Sequence, residues 1–263
     1  MRQTLVINAD DGGMDAATDA AILQCAEAGG LTSVSIMPKG QTASTFIDRA
    51  IRHGLGIGLH LNLTEGRASC PIDGLTDKTG AFPTEKEESW ERLERGAIDL
   101  AALRREILTQ WEALLSIGAK PDHINGHNHI HVFPIVAEQL QKAIGHHLPA
   151  LHARVPFERS APHAVVDRFP AAIACPAAVK QCKTTSMFIG HAFSEVVNWS
   201  ALSELKGSAV PTAEWMVHPG SRVGSDFTHS PNRDLETLFL CREELQGRLA
   251  DWGWTLGRFR DIL

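Results

Sequence analysis

Short apolar, β-branched runs alternate with helix-length segments along the whole chain, and nearly every run ends in a side chain that can ionise or ligate a metal. The runs are Leu5 to Ala9, Thr32 to Met37, Leu55 to Leu63, Asp122 to Asn125, Leu151 to Val155 and Trp215 to His218. Their length and residue type predict strands. Helices are expected between them, near Met14 to Ala28, Ser44 to His53, Ala97 to Ile117, Ile135 to Ile144 and Asn232 to Asp251. The first has an acidic start at Asp15, the expected cap, and a Gly29-Gly30 stop. Such alternation predicts an α/β fold, with helices packed outside a parallel sheet.

Two architectures suit this pattern, a (β/α) barrel and a doubly wound sheet. The positions of the polar residues favour the barrel. Asp10 and Asp11 close the first run, His60 and Asn62 lie late in the third, His127 follows the fourth, Arg154 is in the fifth and His218 ends the last. Many strand ends converging on one point is natural to a barrel, whereas a doubly wound sheet gathers fewer at its switch point. The expectation is a TIM-like (β/α) barrel forming a single domain over residues 1–263. A long loop near 64–95, carrying Pro71, Gly74, Gly80 and Pro83, is expected to shape a cleft.

Composition narrows the partners. The 263 residues are 43% apolar, ample for one continuous core, and the net charge of -6 comes with scattered basic residues. That distribution offers no footprint for nucleic acid or an anionic membrane. The cysteines Cys25, Cys70, Cys175, Cys182 and Cys241 form no CxxC pair, and buried thiols in a reducing cytoplasm are expected. The apolar Leu-Val-Ile at the start is too short for a signal peptide, and no run approaches the ~20 residues of a membrane span. A cytoplasmic location is therefore expected.

Thirteen histidines against no tyrosine is an unusual balance, and several of them cluster. In Asn8-Ala9-Asp10-Asp11-Gly12-Gly13 two carboxylates follow a strand directly. Neighbouring strand residues point to opposite sides, so both can serve one site only if the backbone turns, which Gly12 and Gly13 would permit. A plain Asx-turn is the simpler alternative. His60 and Asn62 share one face of a strand whose other face is Leu59, Leu61 and Leu63, a setting in which a satisfied core histidine is also common. The run Asp122 to His131 holds His123, His127, His129 and His131. Imidazole with carboxylate suits zinc and similar divalent ions, and three protein ligands leave room for water and substrate. Not all four histidines can join His60 and an aspartate on one ion, so some must orient ligands or meet substrate. His218 ends its run before Pro219-Gly220, at an expected cleft mouth. His53, His146, His147, His152, His163, His191 and His229 have no such company and read as surface or packing residues.

Five segments together resemble the YdjC/ChbG family of carbohydrate deacetylases: Asn8-Ala9-Asp10-Asp11, Gly58-Leu59-His60, His123 through Pro134, Met216-Val217-His218-Pro219 and Arg258-Phe259-Arg260-Asp261. They run from the first strand to the last residues. The resemblance implies a TIM-like barrel and one divalent ion, Mg2+ or Zn2+, held by Asp11, His60 and His127. Two departures stand out. The family usually has an aromatic residue at the position of Gly12, and an Asp-Ser-His-His-His run where this chain has Asn125-Gly126-His127-Asn128-His129. More distant NodB-type polysaccharide deacetylases suggest by analogy that the first aspartate of the pair is the base and the second binds metal. Arg154-Val155-Pro156-Phe157 weakly resembles their arginine motif.

The implied reaction is removal of an acetyl group from an N-acetylated sugar or glycoconjugate by metal-activated water. A metal on Asp11, His60 and His127 would lower the pKa of water and polarise the acetyl oxygen. Asp10 would be the base, His218 the acid that protonates the leaving nitrogen, and Arg154 the cation that keeps Asp10 ionised. Two alternatives remain: hydrolysis of another ester or phosphoester, and a non-catalytic sugar-binding relative. The partner expected is a small carbohydrate or glycoconjugate, with a homodimer as the candidate assembly and neither nucleic acid nor a membrane span.

Overall fold

The computed structural model describes residues 3–159, 181–221 and 232–262. Cys175, His163 and His229 lie outside these residues. Every strand pairing is parallel. The central strand β1 (Gln3–Gly12) is flanked by β2 (Ser33–Ile36) and β7 (Thr212–Val217). Beyond β2 come β3 (Gly56–Leu61), β4 (His123–Gly126) and β5 (His152–Ala153), and beyond β7 comes β6 (Met187–Ile189). The order is β5-β4-β3-β2-β1-β7-β6. A last strand, β8 (Trp254–Leu256), pairs with Gln3–Leu5 of β1, before β2 takes over from Asn8.

The sheet is a parallel half-barrel within one α/β domain. Full closure into a barrel is not seen among the described residues, because β5 and β6 are not paired with each other. Lys183, upstream of β6, does bridge His152, with the Ala153 amide donating to the Lys183 carbonyl at 2.8 Å.

The helices are α1 (Ala16–Glu27), α2 (Ala43–Arg52), α3 (Lys86–Arg95), α4 (Leu100–Ser116), α5 (Pro134–Ile144), α6 (His191–Glu195), α7 (Arg233–Leu240) and α8 (Leu245–Asp251). None is long and apolar enough to cross a membrane. Asp15 caps α1 as expected, accepting from the Thr18 amide at 2.8 Å. Two expectations are corrected. The loop near 64–95 ends in α3, a mostly charged helix that buries only Ser89, Trp90 and Leu93 and so shows little apolar periodicity. The single helix foreseen over Asn232 to Asp251 is two, α7 and α8, separated by a turn in which the Leu245 amide donates to the Arg242 carbonyl at 3.1 Å.

Alternation along β1 divides the interior in two. Leu5, Ile7 and Ala9 join the main core under the helices, while Val6 packs with Phe259 and Ile262 in a separate cluster. Asn8 and Asp10 share the Val6 face. A polar column therefore rises from the apolar plug, and burial obliges its members to pair. Asn8 Nδ2 donates to Asp10 Oδ1 at 2.9 Å and to Ser35 Oγ at 3.0 Å. Ser35 Oγ lies 3.0 Å from His123 Nε2, His123 Nδ1 lies 2.7 Å from Asp122 Oδ1, and Arg260 donates to Asp122 Oδ2 at 2.8 Å. Gly58 makes room for this column, since a Cβ there would sit 2.2 Å from His123 Cδ2.

Gly58→Ala should force the His123 ring out of register and lower stability by ~1–3 kcal/mol, the usual cost of overpacking. Urea unfolding of the two proteins measures this; an unchanged midpoint would contradict the close packing.

Candidate metal centre and active site

The end of β1 sets the geometry. Asp10 and Asp11 serve one site because Asp11 itself adopts a left-handed conformation, φ 65°, and the β1–β2 register breaks between Ala9 and Gly12. Aspartate tolerates this region better than most residues. Gly12, expected to supply the turn, has no positive φ. It is small for another reason, because a Cβ would lie 2.6 Å from Val34 Cγ2. Gly13, φ 78°, completes the turn, and its amide donates to Asp19 Oδ1 at 2.7 Å.

Three of the expected residues meet here. Asp11, His60 and His127 are buried and each offers one ligand atom, all within 4.8 Å of one another. His60 Nε2 is 3.1 Å and His127 Nδ1 3.0 Å from Asp11 Oδ1, and the two ring nitrogens are 3.3 Å apart. The tautomer of His60 follows from its neighbours. Asn125 Nδ2 donates to Asp10, so Asn125 Oδ1 faces His60 Nδ1 at 2.7 Å and must accept its proton. A carboxylate oxygen and two imidazole nitrogens gathered this closely could hold a metal ion, and the donor set suits a divalent one.

His127 starts a tight 3-10 turn, His127–Val132, in which Asn128 (φ 52°) and His129 (φ 58°) are both left-handed. The turn is held from outside. Trp90 of α3 donates its indole N–H to the Asn128 carbonyl at 3.2 Å, and Asn128 Nδ2 donates to Thr64 Oγ1 at 2.9 Å. His127 Nε2 lies 3.0 Å from Glu65 Oε1. Burial would lower the His127 pKa, but Asp11 and then Glu65 outweigh it and raise it to about 10.

Arg154, just after β5, is 2% exposed. It donates to Asp10 through Nη1 at 2.5 Å and Nη2 at 2.8 Å, and through Nε to Glu214 of β7 at 2.8 Å. Burial alone would raise Asp10, but Arg154, followed by His60, holds its carboxyl well below the usual range. Burial pushes Glu214 upward in spite of Arg154. Asp11 is likewise held down against its burial, first by Arg233, whose Nη2 donates to Asp11 Oδ2, and then by His127.

His218 follows β7, with its Nε2 3.9 Å from Asp10 Oδ2 and 21% of its side chain exposed. Enclosure of the ring pushes its pKa down to about 4 against the pull of Asp10 and Asp11, so the resting imidazole is neutral. Its backbone amide donates to Glu236 Oε2 at 2.6 Å. Arg233 and Glu236 sit one turn apart on α7, so one short helix holds both a carboxylate of the cluster and the backbone of His218. Sequence reading missed both residues, along with Glu65 and Glu214. A charged pair spaced i, i+3 in an amphipathic segment looks like a solvated helix face.

The remaining histidines stay apart from Asp11. His131 donates from Nε2 to the Arg154 carbonyl at 3.0 Å, and His129 packs edge-on against His191 with ring centroids 5.1 Å apart. His152 is buried beside Phe259.

A curved parallel sheet with a buried carboxylate–imidazole cluster at its strand ends defines an α/β half-barrel scaffold with a metal-competent centre. The sequence also matches the model of the YdjC-like protein family over residues 4–251, and the chain belongs to that family. It is 28% identical to a chitooligosaccharide deacetylase of Proteus mirabilis, over 100% of both chains. It is 30% identical to a human carbohydrate deacetylase, over 99% of this chain and 91% of that one. Among solved structures, it superposes with TM-score 0.79 and 18% identity on an Enterococcus faecalis protein whose name proposes cellobiose-phosphate cleavage, covering 100% of this chain and 99% of that one. A peptidoglycan N-acetylglucosamine deacetylase shares the fold more distantly, with TM-score 0.54, 12% identity and coverage of 99% and 87%.

Burial pushes Glu236 up to about 7, despite the His218 amide and Arg233. The folded state therefore holds its proton more tightly than the unfolded chain does, and stability falls as pH rises from the ordinary carboxylate range to about 7. Glu236→Gln lacks this dependence. Its unfolding midpoint relative to the parent should rise between about pH 5 and about pH 8; a difference independent of pH would contradict the shift.

Proposed function

We propose that this protein is a metal-dependent hydrolase that removes the acetyl group from an N-acetylated sugar or glycoconjugate. Asp11, His60 and His127 would hold one divalent ion, Mg2+ or Zn2+. The observation carrying this reading is the buried carboxylate and two imidazoles beside a second, arginine-held carboxylate that faces a histidine. The names of the Proteus and human relatives support the substrate class. The Lys183–His152 bridge supports a sheet that goes on to close as a TIM-like barrel.

When bound, the ion supplies Lewis-acid polarisation of the acetyl carbonyl and a lowered pKa for water. The protein's own groups manage the proton. Asp10 Oδ2 is the oxygen facing His218, and it accepts the proton of the attacking water. Arg154 keeps that carboxylate ionised and fixes its plane with a two-point contact. His218 Nε2, on the side of Asp10 Oδ2, delivers a proton to the departing nitrogen. Because the resting ring is neutral, the proton it delivers is one gained within the turnover, taken from water by way of Asp10. Arg154 is fully engaged by Asp10 and Glu214, which weighs against the phosphoester alternative that would need it for an anionic group.

His60→Ala and His127→Ala should lose metal content and turnover together, whereas His129→Ala should keep the metal. Asp10→Asn should retain the ion yet lose ~10²–10⁴-fold in kcat, as expected for a missing base. Metal analysis beside kinetics checks the assignment; full occupancy in the His60 and His127 variants would overturn it.

An amine leaving group must be protonated as its bond breaks, while an activated aryl acetate expels a stable anion unaided. His218→Ala should therefore reduce hydrolysis of an N-acetylated sugar more than that of an aryl acetate, by roughly 10²-fold or more. Equal losses on both substrates would place His218 in binding instead of proton delivery.

A further inference from the structure

Cys25 and Cys241 lie 216 residues apart in the chain and meet in the fold. Cys25 is buried on α1, and Cys241, which caps the C-terminus of α7, is half-buried. Their sulfurs are 3.9 Å apart, with the Cys241 S–H donating to Cys25 Sγ. One carbonyl holds both residues, since Thr237 accepts the Cys241 amide at 3.1 Å and the Cys25 S–H at 3.7 Å. The ends of α1 and α7 are pressed together at this point. A Cβ on Gly30, just past α1, would sit 2.1 Å from the Leu240 carbonyl oxygen. Cys70 is also half-buried, but it has no sulfur contact among the described residues.

We infer that Cys25 and Cys241 form a modification site, a dithiol that hydrogen peroxide converts to a disulfide tethering α7 to α1. The two thiols have different parts. Cys241 can be reached from solvent and is oxidised first, taking one oxygen from the peroxide to give a sulfenic acid and water. Burial, and then Cys241 itself, push the Cys25 thiol up, so Cys25 is no target for the oxidant while its neighbour is free. Cys25 Sγ already faces the Cys241 sulfur, and it attacks that sulfur once the sulfenic acid has formed. The S–S bond forms, the S–O bond breaks, and the hydroxyl departs as water with the Cys25 proton. Two electrons have then passed from the sulfurs to the peroxide. The sulfurs must close to the ~2.05 Å of a disulfide, and because the helix ends already touch at Gly30, the side chains supply the approach. The tether acts on the helix that carries Arg233, which holds Asp11, and Glu236, which holds the His218 amide. None of these steps uses a metal or the acetyl group, so the inference is independent of the deacetylase reading.

The test treats the folded, full-length protein with hydrogen peroxide, blocks the remaining thiols with iodoacetamide after denaturation, and maps the peptides by mass. The peptides carrying Cys25 and Cys241 should appear joined, two hydrogen atoms lighter than their sum, and should separate on treatment with dithiothreitol. Cys70 should enter no cross-link. Hydrogen exchange at the amides of α7 should slow by about tenfold or more in the joined form and recover on reduction. In Cys25→Ser the joined peptide should vanish and Cys241 should run on to the sulfinic acid, since no thiol is left to resolve it. Should that buried substitution prevent folding, Cys241→Ser, at a half-buried position, should abolish the joined peptide in its place. Sulfinic acid at Cys241 of the parent protein while Cys25 remains open to iodoacetamide, or a joined form whose α7 amides exchange as before, would overturn the inference.

Discussion

The buried guanidinium of Arg154 is the contact on which the rest of the structure depends. It follows β5, at one end of the sheet order, and it grips Glu214 on β7 and Asp10 on β1, near the other end. The sheet must curve for these groups to meet, and the curvature gathers its strand ends around one buried polar cluster. Removing one partner of such a buried pair typically costs ~3–5 kcal/mol, because it leaves an unpaired charge in a medium that solvates it poorly. A second buried guanidinium, Arg233, does for Asp11 what Arg154 does for Asp10. Two adjacent carboxylates can therefore remain ionised at the end of one strand, each with its own cation and its own direction.

Their different surroundings suit them to different work. Asp11 turns one oxygen to two imidazoles, and its left-handed backbone brings it to the site that Asp10 also faces. Asp10 is held by neutral amides and one arginine, with Oδ2 toward His218. His218 is partly exposed, with Nε2 3.9 Å from Asp10 Oδ2. Its backbone amide is held by Glu236, so α7 braces both His218 and, through Arg233, Asp11.

Much of this was legible in the residues themselves. The strand and helix alternation, the parallel sheet, the Asp15 cap and the meeting of Asp11, His60 and His127 all follow from local pattern or from the quoted motifs. Two short strands were not legible, because Met187–Ile189 and Trp254–Leu256 are too brief to show a period. Nor was α3, whose apolar content is one tryptophan and one leucine in a charged stretch. Gly12 was read as a hinge and proves to be a packing residue, because the strand neighbours that crowd it, Val34 and Ile36, are distant in sequence. Arg233 and Glu236 were invisible for the same reason: their partners lie 222 and 18 residues away. Long-range charge pairing leaves no local signature.

The account stands or falls on the coupling of a bound divalent ion to amide hydrolysis. The direct measurement is acetate and free amine released from a panel of N-acetylated sugars by protein stripped of metal and then reloaded with one equivalent of Zn2+ or Mg2+. The account predicts equal amounts of acetate and amine from at least one sugar, absent after chelation and restored by the ion. Release that is indifferent to chelation, or none from any sugar by fully loaded protein, would contradict it.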